Sequence, residues 1–127
     1  MRNIAAFLFI TLLFLAPAYA AEEPAELQKR LIGTTDATAA DIHRQIGDFY
    51  AADNRYDKAA EAYLKALPVL RERLTADDRL EIAMRLSWGG KLKEAVEELR
   101  FLLKRDPGNL KAQSQLAKVL LWSGKQD

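Results

Sequence analysis

Two tryptophans are the side chains best suited to chemistry at a surface. Trp88 and Trp122 stand 34 residues apart. Each sits a residue or two before a glycine, Gly89-Gly90 and Gly124. An exposed tryptophan is a strong anchor at a binding surface, and its flat ring also stacks on sugars. Alternatively, both rings pack between neighbouring helices. Catalytic chemistry has thinner support. His43 is the sole histidine and there is no cysteine, so a His-based triad or a thiolate metal site lacks partners. The acids Glu94, Glu97 and Glu98 crowd a predicted helix start, where the helix dipole favours them. Gly89-Gly90 reads as a turn, not a phosphate loop. No enzyme activity, metal or cofactor is expected.

The elements that must carry these residues repeat. The first unit reads Ile46-Gly47, Tyr50, Asn54-Arg55-Tyr56, Ala59, Tyr63, Ala66-Leu67. The second reads Ile82-Ala83, Leu86, Gly90-Lys91-Leu92, Ala95, Leu99, Leu102-Leu103, Pro107. A third begins at Leu116-Ala117, Leu120, Gly124. Ala83 and Ala117, like Gly90 and Gly124, are 34 apart, and Asn54 and Gly90 are 36 apart. Apolar residues follow the helical period throughout. Helices are expected over 24–32, from Thr38 (capped with Asp41) to about Asn54, from Asp57 through Leu67, from Thr75 to Gly89, over 92–104 and over 109–123. Pro68 should kink or end its helix, with 69–74 staying partly helical. Nothing reads as a strand.

Residues 1–20 read as a signal peptide. Arg2 opens it, Ile4–Leu15 is apolar apart from Thr11, and Ala18-Tyr19-Ala20 is a small-x-small cleavage site. The apolar run is shorter than the roughly 20 residues of a membrane span. No stable span is expected after cleavage, and without a cysteine at that site no lipid anchor. Residues 21–37 form a leader with a short helix, and 38–127 the helical repeat domain. Arg2 aside, basic and acidic residues balance at 18 each. That balance argues against a nucleic-acid binder, which is typically strongly basic.

A repeat of about 34 residues with these spaced positions resembles the tetratricopeptide repeat family. The resemblance covers about 40–124. It implies an all-α, right-handed solenoid of antiparallel helical hairpins, about two and a half repeats long. It also implies that Gly47, Ala83 and Ala117 are small where helices meet, and that Ala59 and Ala95 are small for the same reason. Tyr50, Leu86 and Leu120 should fill the gaps between helices, and Asn54, Gly90 and Gly124 should reverse the chain. Departures are Leu102 at a usual alanine, Arg71 at a usual proline, and His43 and Arg79 where tryptophan is common.

In that family the first helix of each pair lines a concave groove. The groove residues implied here are Asp41, Arg44, Asp48 and Ala52; then Leu80, Met84, Ser87 and Trp88; then Ser114, Lys118, Leu121 and Trp122. Arg44 and Asp48, one helical turn apart, are expected to form an exposed ion pair worth about 0.3–0.5 kcal/mol. Asp48 would repel a peptide carboxylate. The implied function is a non-catalytic periplasmic scaffold that binds a protein or peptide segment in the groove. The alternative is the front of an envelope polysaccharide-export or outer-membrane assembly protein that contacts glycan or a barrel. The chain end at Gly124-Lys125-Gln126-Asp127 resembles the start of another second helix, so the tail reads either as a terminal cap or as an array cut in mid-repeat. Self-association through this unfinished helix is a third expectation.

Overall fold

The computed structural model describes residues 22–126. The expected targeting segment, residues 1–20, lies outside them, as does Asp127. The described chain is all-α. It forms α1 (Pro24–Lys29), α2 (Asp36–Ala52), α3 (Tyr56–Leu70), α4 (Ala76–Trp88), α5 (Leu92–Arg105) and α6 (Leu110–Gln126). There is no strand among the described residues.

Side-chain caps set where the longer helices begin. The Thr75 hydroxyl accepts the Asp78 N–H at 3.1 Å and starts α4. The Asn109 side chain accepts the Ala112 N–H at 3.0 Å and starts α6. In α2 the cap is Thr35, which accepts the Thr38 N–H at 3.3 Å. The sequence pattern alone points to Thr38. Both threonines can cap, but Thr35 keeps Asp36 in the first turn, where its charge opposes the helix dipole favourably, and adds a turn that buries Ala40.

The reversals after α2 and α4 share one geometry. Asn54 (φ 57°) and Gly90 (φ 82°) take the left-handed conformation. The Arg55 N–H then returns to the Tyr50 carbonyl at 2.9 Å, and the Lys91 N–H to the Leu86 carbonyl at 2.8 Å. These bonds satisfy carbonyls that a helix end leaves open. Pro68 lies inside α3, which runs on to Leu70 before a turn at 71–73. The buried Leu70, packed with Ala40 and Ala66, keeps that last turn in place.

Gly124 departs from its expected role. It is helical, and a Cβ there meets nothing within 4 Å. A glycine inside a helix costs about 0.5–1 kcal/mol relative to alanine. Gly124→Ala is therefore expected to raise stability by about that amount. A fall in melting temperature would mean that Gly124 needs a left-handed turn after all.

The helices stack in chain order. α1 packs on α2, α2 on α3, α3 on α4, α4 on α5 and α5 on α6, with α4 also meeting α6. The principal core joins Tyr63, Leu67, Ile82, Leu86, Leu99, Leu102, Ala112 and Val119. A smaller cluster sets Leu27 of α1 against Ile42, Ile46 and Ala62. Ala59, Ala83 and Ala95 are fully buried. Small residues at the third unit behave differently. Ala117 is exposed and Leu120 is 44% exposed, so neither fills a gap between helices. No described helix covers that side of α6 as α3 covers α2 and α5 covers α4.

Candidate binding groove

α4 and α6 face each other across a groove of about 590 Å³. Leu80 and Met84 of α4 and Leu110 of α6 give it apolar walls. Their spacing on α4, one helical turn, puts Leu80 and Met84 on one face. Asp77 and Glu81 line the α4 bank, and Lys111, Ser114 and Gln115 the α6 bank. The α4 bank thus carries two acids and the α6 bank one lysine. Such a groove offers apolar contact along its middle and opposite charges along its edges. Those charges would fix the direction of a bound segment more than its affinity.

A second groove, of about 670 Å³, lies beside α1 and α2. It is lined by Leu27, Gln45, Phe49 and Ala52, with Glu22, Asp48 and Asp53 around it. Between the two grooves, ion pairs tie α2 to α4. Arg44 Nη2 lies 3.2 Å from Asp78. Arg85 Nη1 donates to Asp48 at 2.9 Å, and the Tyr63 hydroxyl donates to the same carboxylate oxygen at 2.6 Å. The expected Arg44–Asp48 pair is therefore replaced by two contacts between helices. Each side chain finds a partner on α4 that intrahelical spacing alone does not reveal.

These bonds perturb both groups in the directions that burial and charge dictate. Burial pushes the Tyr63 phenol well above its ordinary pKa, and the Asp48 carboxylate beside it adds to the rise. Burial works against the charge on Arg85, but Tyr63, Glu81 and Asp48 outweigh it and hold its pKa above the usual value. His43 faces a shallow depression with Tyr50, Lys58 and Lys65. Burial first, and the Lys65 charge second, lower its pKa.

The remaining groove residues implied by sequence scatter. Leu80, Met84 and Ser114 line the groove between α4 and α6; Asp48 and Ala52 line the other. Ser87 is buried, and its hydroxyl donates to the Met84 carbonyl at 2.6 Å. Asp41 is exposed and lies 3.6 Å from Arg73. Trp88 is 46% exposed, with its ring 5.0 Å from that of Tyr56. Lys118, Leu121 and Trp122 are exposed on α6. Neither tryptophan is among the residues lining the two grooves.

Sequence reading missed one feature entirely. Glu98 is 1% exposed and Arg79 is 3% exposed. Arg79 Nη1 donates to Glu98 Oε2 at 2.6 Å, and Arg71 donates to Oε1 through Nε at 3.0 Å and Nη2 at 2.5 Å. The guanidiniums of Arg79 and Arg105 lie 4.1 and 4.4 Å from the Phe101 ring centre. Glu98 is therefore a buried counter-ion, not a helix-dipole acid. The available signal was register: Arg79 is three residues before Ile82, and Glu98 three after Ala95, both on inward faces.

The chain matches no protein-family model and no curated protein. No helix among the described residues is long and apolar enough to cross a membrane. Among the same residues, no three His, Asp or Glu side chains lie close enough together to hold a metal ion.

Proposed function

We propose that this chain is an exported, non-catalytic interaction scaffold built of tetratricopeptide-like hairpins. It holds an extended protein or peptide segment in the groove between α4 and α6. The observation that carries this reading is the lining of that groove: Leu80, Met84 and Leu110 between Asp77 and Glu81 on one side and Lys111 on the other. The matching reversals at Asn54 and Gly90 support the repeat. The apolar start and Ala18-Tyr19-Ala20 support export, for which the expected result is a mature N-terminus at Ala21 in the envelope fraction. A chain still beginning at Met1 would contradict it.

Leu110 is the most exposed of the three apolar groove residues, so Leu110→Glu changes the groove without opening the core. Peptides selected on the purified chain from a random display library should bind Leu110→Glu at least about tenfold more weakly. The melting temperature should stay close to that of the parent. Equal affinity for both proteins would remove the groove from the binding site.

One observation favours the glycan reading as a second. Trp88, exposed and beside Tyr56, offers an aromatic surface away from the groove. Oligosaccharides that quench tryptophan fluorescence in the parent and not in Trp88→Ala, with no peptide selected, would support that reading instead.

A further inference from the structure

The depression beside His43 shares no lining residue with either groove. It holds about 410 Å³ and is lined by α2 and α3, with Gln28 and Leu31 from the α1 end. Leu31, Ile46 and Ala62 give it an apolar floor, and Lys58, Lys65 and His43 a basic rim. Lys58 and Lys65 are seven residues apart, so they share one face of α3. Both are exposed, and neither makes a salt bridge among the described residues. Glu61 is the one acid of the lining. Lys58 Nζ stands 5.5 Å from the centre of the Tyr50 ring, and the Arg55 guanidinium 5.2 Å from the same ring. The ring attracts each cation by only about 0.5–1 kcal/mol at an exposed site, while the two cations repel each other. Arg55, Lys58 and Lys65 thus set three positive charges against Glu61, before His43 is counted.

A depression of this size suits a small molecule. An excess of unpaired cations around an apolar floor suits an organic anion. We propose that this depression binds a small organic anion, with its carboxylate or phosphate beside Lys58, Lys65 and His43 and its apolar body over Leu31 and Ile46. The lysines supply the charge complement, and the floor supplies the apolar contact. His43 makes the site sensitive to pH. In the free chain burial first, and the Lys65 charge second, hold its pKa below the ordinary value. The titratable groups that line the depression with it are Lys58, Glu61 and Lys65 of α3 and Tyr50 of α2; α1 brings none. A bound anion favours the protonated imidazole and so raises that pKa. By linkage, affinity rises as pH falls through the His43 range.

His43 is the sole histidine, so its imidazole proton signal in NMR reports on the site directly. Benzoate serves as the probe, because a carboxylate stays ionised from about pH 5 to 8, and benzamide as its neutral control. Benzoate should shift the signal saturably and raise the His43 pKa by about half a unit or more, which is about threefold tighter binding to the protonated form. Benzamide should do neither. Lys65→Gln should raise the His43 pKa of the free chain and weaken benzoate about three- to fivefold. Glu61→Gln should tighten it. Lys93→Gln, on α5, should change nothing. All three positions are exposed, so the variants should keep the parent circular dichroism spectrum. No saturable shift, an equal response to benzamide, or an equal loss in Lys93→Gln would overturn the proposal. So would binding to phosphatidylglycerol vesicles that is lost in Lys65→Gln while benzoate has no effect, since the cations would then serve a membrane surface.

Discussion

Glu98→Ala is expected to cost about 3–5 kcal/mol, because it leaves a buried guanidinium without its counter-ion. Arg79 is 3% exposed, and its Nη2 already lacks a hydrogen-bond partner. Among the described residues its one charged partner is the Glu98 carboxylate at 2.6 Å. Arg71 is partly exposed and can return to water, so the penalty falls on Arg79. Phe101 holds that guanidinium by cation–π contact at 4.1 Å but cannot neutralise it. Replacing both members by apolar residues, Arg79→Met with Glu98→Leu, should recover most of the loss. Buried ion pairs exchanged for well-packed apolar groups are often neutral or stabilising. Urea unfolding of the two single variants and the double variant measures the coupling. A loss below about 1 kcal/mol for Glu98→Ala would place the pair in water, contrary to the packing described here.

Gly47→Ala is the second large effect. Three atoms of the Tyr63 ring would stand 2.5, 2.7 and 2.8 Å from the new Cβ. The ring cannot swing aside freely. It has no exposed surface, and its hydroxyl is tied to Asp48 at 2.6 Å and accepts from Arg85 at 2.5 Å. The extra methyl must therefore force α2 and α3 apart or break that network, and overpacking of this kind costs about 1–3 kcal/mol. Helix propensity pulls the other way by up to about 1 kcal/mol, so the clash should win by a modest margin. The same substitution at Gly124, where the space is open, has the opposite expected sign. A double variant Gly47→Ala with Tyr63→Leu should be less destabilised than the two single changes summed. Strict additivity would show that Gly47 and Tyr63 do not touch.

The helices themselves were legible in the sequence. Apolar periodicity, Thr75, Asn54 and Gly90 marked the helix boundaries to within about three residues, because capping and left-handed turns depend on local chemistry. Thr35 shows the limit: two threonines three apart are equally good local caps, and burial of Ala40 decides between them. Gly124 shows another. A glycine's freedom permits a turn but does not require one, and no described helix packs there to force a reversal. The ion pairs were not legible. Arg44 and Asp48 have the right spacing for each other, yet α3, packed on both α2 and α4, brings Asp78 and Arg85 within reach as partners. Glu98 looked like a dipole acid because sequence records the helix end and not the arginine folded over it. Of the groove, Leu80, Met84 and Ser114 were implied by the family resemblance. Leu110 and the charged banks depended on how closely α6 approaches α4, which no spacing within one helix encodes.

The most direct test of the groove is site-specific photo-crosslinking in cells. Benzoylphenylalanine placed at Asp77, an exposed residue of the α4 bank, should trap a polypeptide adduct on irradiation. The same probe at Arg100, exposed on α5, should not. Adducts absent at position 77, or equally abundant at position 100, would contradict a groove that binds protein.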